Sequence, residues 1–196
     1  MTTEISTFLS AFSADLSPIK EQAVRYFDRE SKIREDGAAQ IFRRPWVAPS
    51  NFGLLLFPPA DNAWFTEFHR RTNKAIPERY QEILSHVNGC FVYDFSLYGL
   101  PKTLYTAGLL NRKNLQQYDL GAANSMWIRG YKVSKELFYF GGRAYSYDEN
   151  VGYFLDDDKI MSIRKNGEVI NTWMNVSDFL SEEVSICEQK MLEEKK

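Results

Sequence analysis

The residues of this chain able to attack a carbonyl, hold a metal or carry a proton are two histidines, two cysteines and 26 acidic side chains. Their spacing matches none of the arrangements that such chemistry needs. His69 and His86 each sit within an apolar helical pattern; neither belongs to an H-E-x-x-H zinc motif, and no C-x-x-C pair exists. A thiol-dependent hydrolase would have to pair Cys90 with a histidine such as His69 across the fold, and only residue counts support that. There is no G-x-S-x-G nucleophile elbow. Carboxylate pairs arise by chance at this acidic content and discriminate nothing.

Phosphate chemistry fares no better. A phosphate loop needs glycines that let successive N–H groups converge, followed by Lys and Ser or Thr opening a helix. Gly141–Gly142 runs instead into the strand-like "RAYSYD", with no helix to supply a dipole. "GLPKT" at 99–103 has the Lys-Thr, but Pro101 stands where the backbone donors belong. Asp156, Asp157 and Asp158 suggest calcium, yet a loop begun at Asp156 places Met161 and Gly167 where glycine and glutamate are required. Consecutive acids on an extended chain also point to opposite faces. The expectation is no enzyme, no metal and no cofactor, with residues 138–159 serving as strands and turns.

Composition narrows the class further. The chain has 196 residues, 44% of them apolar and 15% aromatic, enough for one core. A formal net charge of −2 leaves no basic footprint for nucleic acid. The opening "MTTEISTFLSAF" lacks a basic region followed by an apolar run, and "FGLLLF" is far short of the ~20 residues that span a bilayer. These features imply a cytoplasmic protein without membrane contact, in which Cys90 and Cys187 stay as free, buried thiols.

Periodicity assigns the elements that must position any site. Ile5, Phe8, Leu9, Phe12 and Leu16 predict a first helix from about Thr3. Ser17–Pro18 reads as a cap and first turn for a second, with Ile19, Ala23, Val24 and Phe27 as its stripe, ended by Asp36–Gly37. The proline- and aromatic-rich run to Pro59 suggests one short strand at 53–57 and little else regular. Residues 1–60 thus read as a helical arm or lid, and 61–196 as the main domain of one continuous globular unit. Asp61 or Asn62 caps a helix carrying Trp64, Phe65 and Phe68 inward. "IPERYQEILSHVNG" predicts a helix opened by Pro77, with Tyr80, Ile83, Leu84 and Val87 inward and Gly89 left-handed at its end. "FVYDFSLYG" alternates as one half-buried strand, and a short helix after Asn111 carries Leu115 and Tyr118. From Leu137 onward the pattern is strands and turns. Asn166–Gly167 predicts a two-residue hairpin loop that sets Lys165 opposite Glu168, Ile163 opposite Ile170 and Met161 opposite Thr172 on a core-facing side. The other side, Arg164 with Val169, Ser162 with Asn171 and Ile160 with Trp173, then faces solvent or a partner. Asn175 or Ser177 caps a last helix with Leu180, Val184, Cys187 and Met191 along one side.

The order of these signals, from "IPERYQEILSHVNGC" through "LYGLP", "QYDLGAAN" and "LFYFGGRAYSYDENVGYFLDD" to "INTWMNVSDFLSEEV", resembles the SUKH superfamily, which includes the Smi/Knr cell-wall regulators and many bacterial immunity proteins. The resemblance covers residues 61–184. It implies an α+β fold in which helices pack on a mostly antiparallel sheet closed by a C-terminal helix. Pro77, Tyr80, Asn88, Gly89, Gly141, Gly142, Gly152, Trp173 and Phe179 carry it, all as structural matches. By resemblance, the function is non-catalytic neutralisation of a cognate protein toxin, often a nuclease, by direct binding; a regulatory adaptor of the Smi/Knr kind is the alternative.

A nuclease partner presents a basic site, for which an acidic, tyrosine-bearing surface is complementary. The candidate surface is therefore Tyr145, Tyr147, Asp148, Glu149, Tyr153, Asp156, Asp157 and Asp158. The competing reading places these tyrosines in the core and leaves the acids to keep the strand edges soluble.

Overall fold

Short apolar strands joined by turns or by helical connections pair here in chain order, each with the strand just before it. The structure, a computed structural model, describes residues 1–101, 116–143 and 150–194. Among them nine strands pair in chain order, each antiparallel to the next: β1 (Lys32–Ile33), β2 (Ala39–Arg43), β3 (Phe52–Leu56), β4 (Cys90–Val92), β5 (Phe95–Leu97), β6 (Phe138–Arg143), β7 (Val151–Asp156), β8 (Lys159–Arg164) and β9 (Val169–Trp173). The helices are α1 (Thr3–Ser10), α2 (Ser17–Arg25), α3 (Asn62–Thr72), α4 (Glu78–His86), α5 (Leu120–Ser125) and α6 (Val176–Glu194), with 3₁₀ turns at Ala14–Leu16 and Trp127–Gly130. The protein is α+β, with an antiparallel sheet and a closing C-terminal helix. No helix among the described residues is long and apolar enough to cross a membrane.

Alternation divides the sheet into two faces. Phe95, Phe138, Phe140, Tyr153 and Trp173 point to the helices, where Tyr80 of α4 meets Phe138 and Phe140, and Phe179 of α6 meets Phe95, Phe140, Tyr153 and Trp173. The predicted stripes of α4 (Tyr80, Ile83, Leu84) and α6 (Leu180, Val184, Cys187, Met191) are buried, as is Val87 just past the end of α4. Capping follows the sequence: the Asp61 side chain accepts from Ala63 N at 2.9 Å, and Asn175 Oδ1 from Asp178 N at 2.7 Å. Gly89 is left-handed as expected, at φ +82°, but α4 ends at His86 with Val87 as its C-cap, so Gly89 stands two residues beyond the cap and not directly after it.

Several expectations need correction. Residues 1–60 are not a helical arm, since β1–β3 extend the same sheet through the pairing of β3 with β4. Periodicity missed β2 because Phe42, at φ +64°, interrupts its alternation. Helix α2 ends at Arg25, well before Asp36–Gly37; Leu16 rather than Ser17 is its N-cap, and Val24 is exposed. "FVYDFSLYG" is a tight hairpin, with Val92 facing Phe95 and Tyr93 at φ +55° in the turn. Tyr118 lies outside any helix, and the helix beyond it starts at Leu120 with Asp119 as cap; Asn111 and Leu115 lie outside the described residues.

The β8–β9 hairpin shows where a register argument fails. Gly167 N donates to Arg164 O and Arg164 N to Glu168 O, each at 2.9 Å, so the loop has three residues, Lys165 to Gly167, with Gly167 at φ +90°. This is a type of loop that ends in a left-handed glycine and a bulge. Ile163 therefore faces Val169, not Ile170. A further irregularity between Ser162 and Ile163 absorbs one residue and restores the expected pairs Ser162–Asn171, Met161–Thr172 and Ile160–Trp173. The faces match the expectation only in part: Ile163 is buried as expected, but Ile160, Ser162 and Trp173 of the other side are buried too, while Ile170 and Thr172 are exposed. Trp173 does lie against the last helix, 5.1 Å from Phe179 between ring centres, and its Nε1 donates to Glu182 at 2.7 Å.

Candidate partner surface

Four residues of the sequence-derived surface, Tyr153, Asp156, Asp157 and Asp158, fall among the described residues. Tyr145, Tyr147, Asp148 and Glu149 lie outside the described residues. Tyr153 is on the helix-covered face and fully buried, so it cannot meet a partner; its hydroxyl donates to Glu183 of α6. Asp156, Asp157 and Asp158 are exposed in the β7–β8 turn, with Asp157 at φ +49°. That turn stands at the opposite end of β7 from Asn150, as antiparallel topology requires of successive connections. Arg79 of α4 braces it by donating to the Asp158 carbonyl and to the Met174 carbonyl, each at 2.6 Å. The three carboxylates face solvent, and no group of three or more acidic, histidine or cysteine side chains among the described residues converges on a metal position.

The thiols are poorly placed for nucleophilic work. Burial pushes both Cys90 and Cys187 up to about 12, so each is protonated at neutral pH. His69 is exposed, with Nδ1 3.0 Å from Lys74 O, and His86 Nδ1 lies 2.6 Å from Ala11 O. A carbonyl only accepts, so both Nδ1 atoms carry the proton.

On the sheet face away from the helices, a set of aromatics that the sequence reading did not single out assembles around Tyr98. Its ring lies 5.6 Å from Tyr118, 5.7 Å from Trp127 and 5.3 Å from Tyr139, all edge to face. Tyr118 also meets Phe91 at 4.9 Å and Trp127 at 6.0 Å, and Tyr139 stacks on Phe154 at 4.7 Å. Tyr118 and Trp127 nevertheless remain 47% and 40% exposed, and the adjacent Met126 52%. Below this rim, Phe91, Tyr93, Tyr98, Tyr118, Tyr139 and Gly142 line part of a cleft of about 300 Å³. Gly142 makes room for the hydroxyls: a Cβ there would stand 3.0 Å from the Tyr98 oxygen. Tyr98 and Tyr139 hydroxyls bond at 3.0 Å, and Tyr139 donates to Tyr131 at 3.2 Å. Burial raises all three above the ordinary phenol value, so they act as neutral hydrogen-bonding groups.

The elements that hold this rim are local. Asp119 caps α5 by accepting from Gly121 N at 2.8 Å and is itself held by Arg71 at 3.0 Å. Buried Asn124 clamps α5 to β6, donating to Tyr139 O at 2.8 Å and accepting from Tyr139 N at 3.0 Å. Helix α5 then hands the chain to the 3₁₀ turn that carries Trp127. No protein-family model matches this chain, and no curated protein or solved structure matches it either. The sequence reading missed this rim, whose residues come from separate segments.

Proposed function

We propose that this protein acts by binding rather than catalysis, neutralising a protein toxin by direct contact in the manner of the SUKH-type immunity proteins its sequence resembles. The observation that carries this reading is the half-exposed Tyr118–Trp127 pair with Met126 beside it, set over an aromatic cleft on a rigid sheet. Tyr and Trp are the residues most enriched among binding hot spots, because they bury large area at low entropic cost and keep a polar tip. The exposed acids of the β7–β8 turn add a negative field that accelerates encounter with a basic partner such as a nuclease.

The test starts from the gene neighbourhood. A toxin gene beside this one is cloned and expressed with and without this protein. The expected outcome is survival only on co-expression and a stoichiometric complex on size-exclusion chromatography. Toxicity unrelieved by the protein, with no complex formed, overturns the reading. Capture of a cell-wall signalling component in its place favours the adaptor.

A further inference from the structure

A second concavity lies on the other side of Tyr131, between the end of α3 and the chain that runs from α5 into β6. Its volume is about 740 Å³, and its lining includes Lys74, Ser125, Arg129, Tyr131 and Lys135. This size falls within the range of small-molecule sites. Three of its lining residues are cations, in a protein whose net charge is −2.

The cations are not consumed by carboxylates. Lys74 Nζ donates to the carbonyls of Lys135 at 2.6 Å and Leu137 at 3.4 Å, which fixes the ammonium and leaves one N–H over. Arg129 and Lys135 are exposed and take no carboxylate partner among the described residues. Glu136 is the acidic group acting on Lys74, and burial outweighs it and lowers the Lys74 value. The Asn124 side chain already serves Leu120 O and the Tyr139 backbone, while the Ser125 hydroxyl donates to Gly121 O, so neither adds a free donor.

Proton counting supplies a neutral donor. Tyr98, Tyr139 and Tyr131 have three hydroxyl protons and share two hydrogen bonds. One proton is therefore left over. With Tyr139 donating to Tyr131, Tyr98 must donate to Tyr139, and the spare O–H is that of Tyr131, which lines the cationic cavity as well as the aromatic cleft.

We propose that this cavity binds a small polyanion carrying phosphate or clustered carboxylate groups, with Lys74, Arg129 and Lys135 supplying charge and Tyr131 a neutral O–H donor. The inference does not depend on the toxin reading, because it concerns a different concavity, sharing only Tyr131 with the aromatic cleft, and a different class of ligand. Inorganic pyrophosphate and citrate, each titrated calorimetrically into the full chain at constant ionic strength, are the probes. Saturable binding of one probe per chain is expected for at least one of them. The Arg129→Ala/Lys135→Ala variant, altered only at exposed side chains, should then weaken it by at least about tenfold, the scale of a lost charge-assisted hydrogen bond. Tyr131→Phe should weaken it by about threefold, the scale of one neutral hydrogen bond, with the fold intact by circular dichroism. No saturable binding of either probe, or binding that the double variant leaves unchanged, overturns the site. Binding that Tyr131→Phe leaves unchanged removes the tyrosine from it.

Discussion

β7 shows both faces of the sheet in six residues. Val151, Tyr153 and Leu155 turn toward the helices, and Gly152 and Phe154 toward the aromatic cleft. On the helix side, Glu183 of α6 accepts from both Arg143 and Tyr153 in the interior. On the cleft side three tyrosine hydroxyls share two bonds, and the rim rings keep almost half of their surface in water. One face spends its polar groups on holding the fold together. The other retains donors and ring edges, which is what recognition requires.

The sharpest way to break that contrast is to attack the consumed side. Arg143 Nη1 stands 2.6 Å from Glu183 Oε2, and both side chains are nearly excluded from solvent. Glu183→Ala removes the acceptor and leaves a buried guanidinium without its counter-charge, so unfolding free energy should fall by about 3–5 kcal/mol. Denaturant unfolding measures it; a loss no larger than that of an exposed ion pair would mean the two faces are not finished differently. Trp127→Ala on the other side should cost little stability, because the ring is already half in water. It should instead weaken the proposed toxin complex by about 2 kcal/mol, in the dissociation rate more than the association rate. Loss of stability with unchanged binding would reverse the roles assigned to the faces.

How much of this was legible follows from range. Helices α3, α4 and α6 could be read because cap, stripe and stop lie within one segment: Pro77, Tyr80 and Gly89 needed no knowledge of the rest. The β8–β9 faces could not, because alternation says which residues share a side but not which side α6 will cover. Trp173 is buried because Phe179 and Glu182 come down on it from a helix still to be formed in the chain order. The bulge that moves Ile163 from Ile170 to Val169 left no compositional mark. The aromatic rim was illegible for the same reason, as Phe91, Tyr98, Tyr118 and Trp127 come from four separate segments. Tyr153 was misplaced by counting tyrosines near acids without assigning a face to each.

The acidic turn and the aromatic rim form a second contrast, between steering and holding. Asp156, Asp157 and Asp158 are solvated and stand at the end of β7 remote from Asn150, so they act at long range and are screened by salt. Reversing all three to Lys should slow association with a basic toxin by about tenfold at low salt and flatten the salt dependence, with little change in dissociation. Stopped-flow measurement over a salt series separates the two. An effect confined to dissociation would place the turn inside the interface.

The smallest effect distinguishes two glutamates of α6 that lie five residues apart. Burial raises Glu183 above the usual 4.5, outweighing the Arg143 guanidinium and the Tyr153 hydrogen bond. Burial also acts on Glu188, but hydrogen bonds from Tyr26, Gln22 and Arg25, with the Arg25 charge, overcome it and hold that carboxyl below 4.5. The signs are therefore opposite. A raised carboxyl binds its proton more tightly when folded, so what Glu183 contributes is greatest below 4.5 and declines as pH rises through its folded value. A depressed one contributes above 4.5 and loses that contribution as pH falls through its folded value. Glu188→Gln should flatten the loss of stability on the acid side of 4.5, and Glu183→Gln should remove a downward trend above it. Chemical denaturation of the two variants across both windows checks this. A shared response would show that the exposed Arg25 holds Glu188 no better in the folded chain than in the unfolded one, leaving α2 joined to α6 by packing and not by charge.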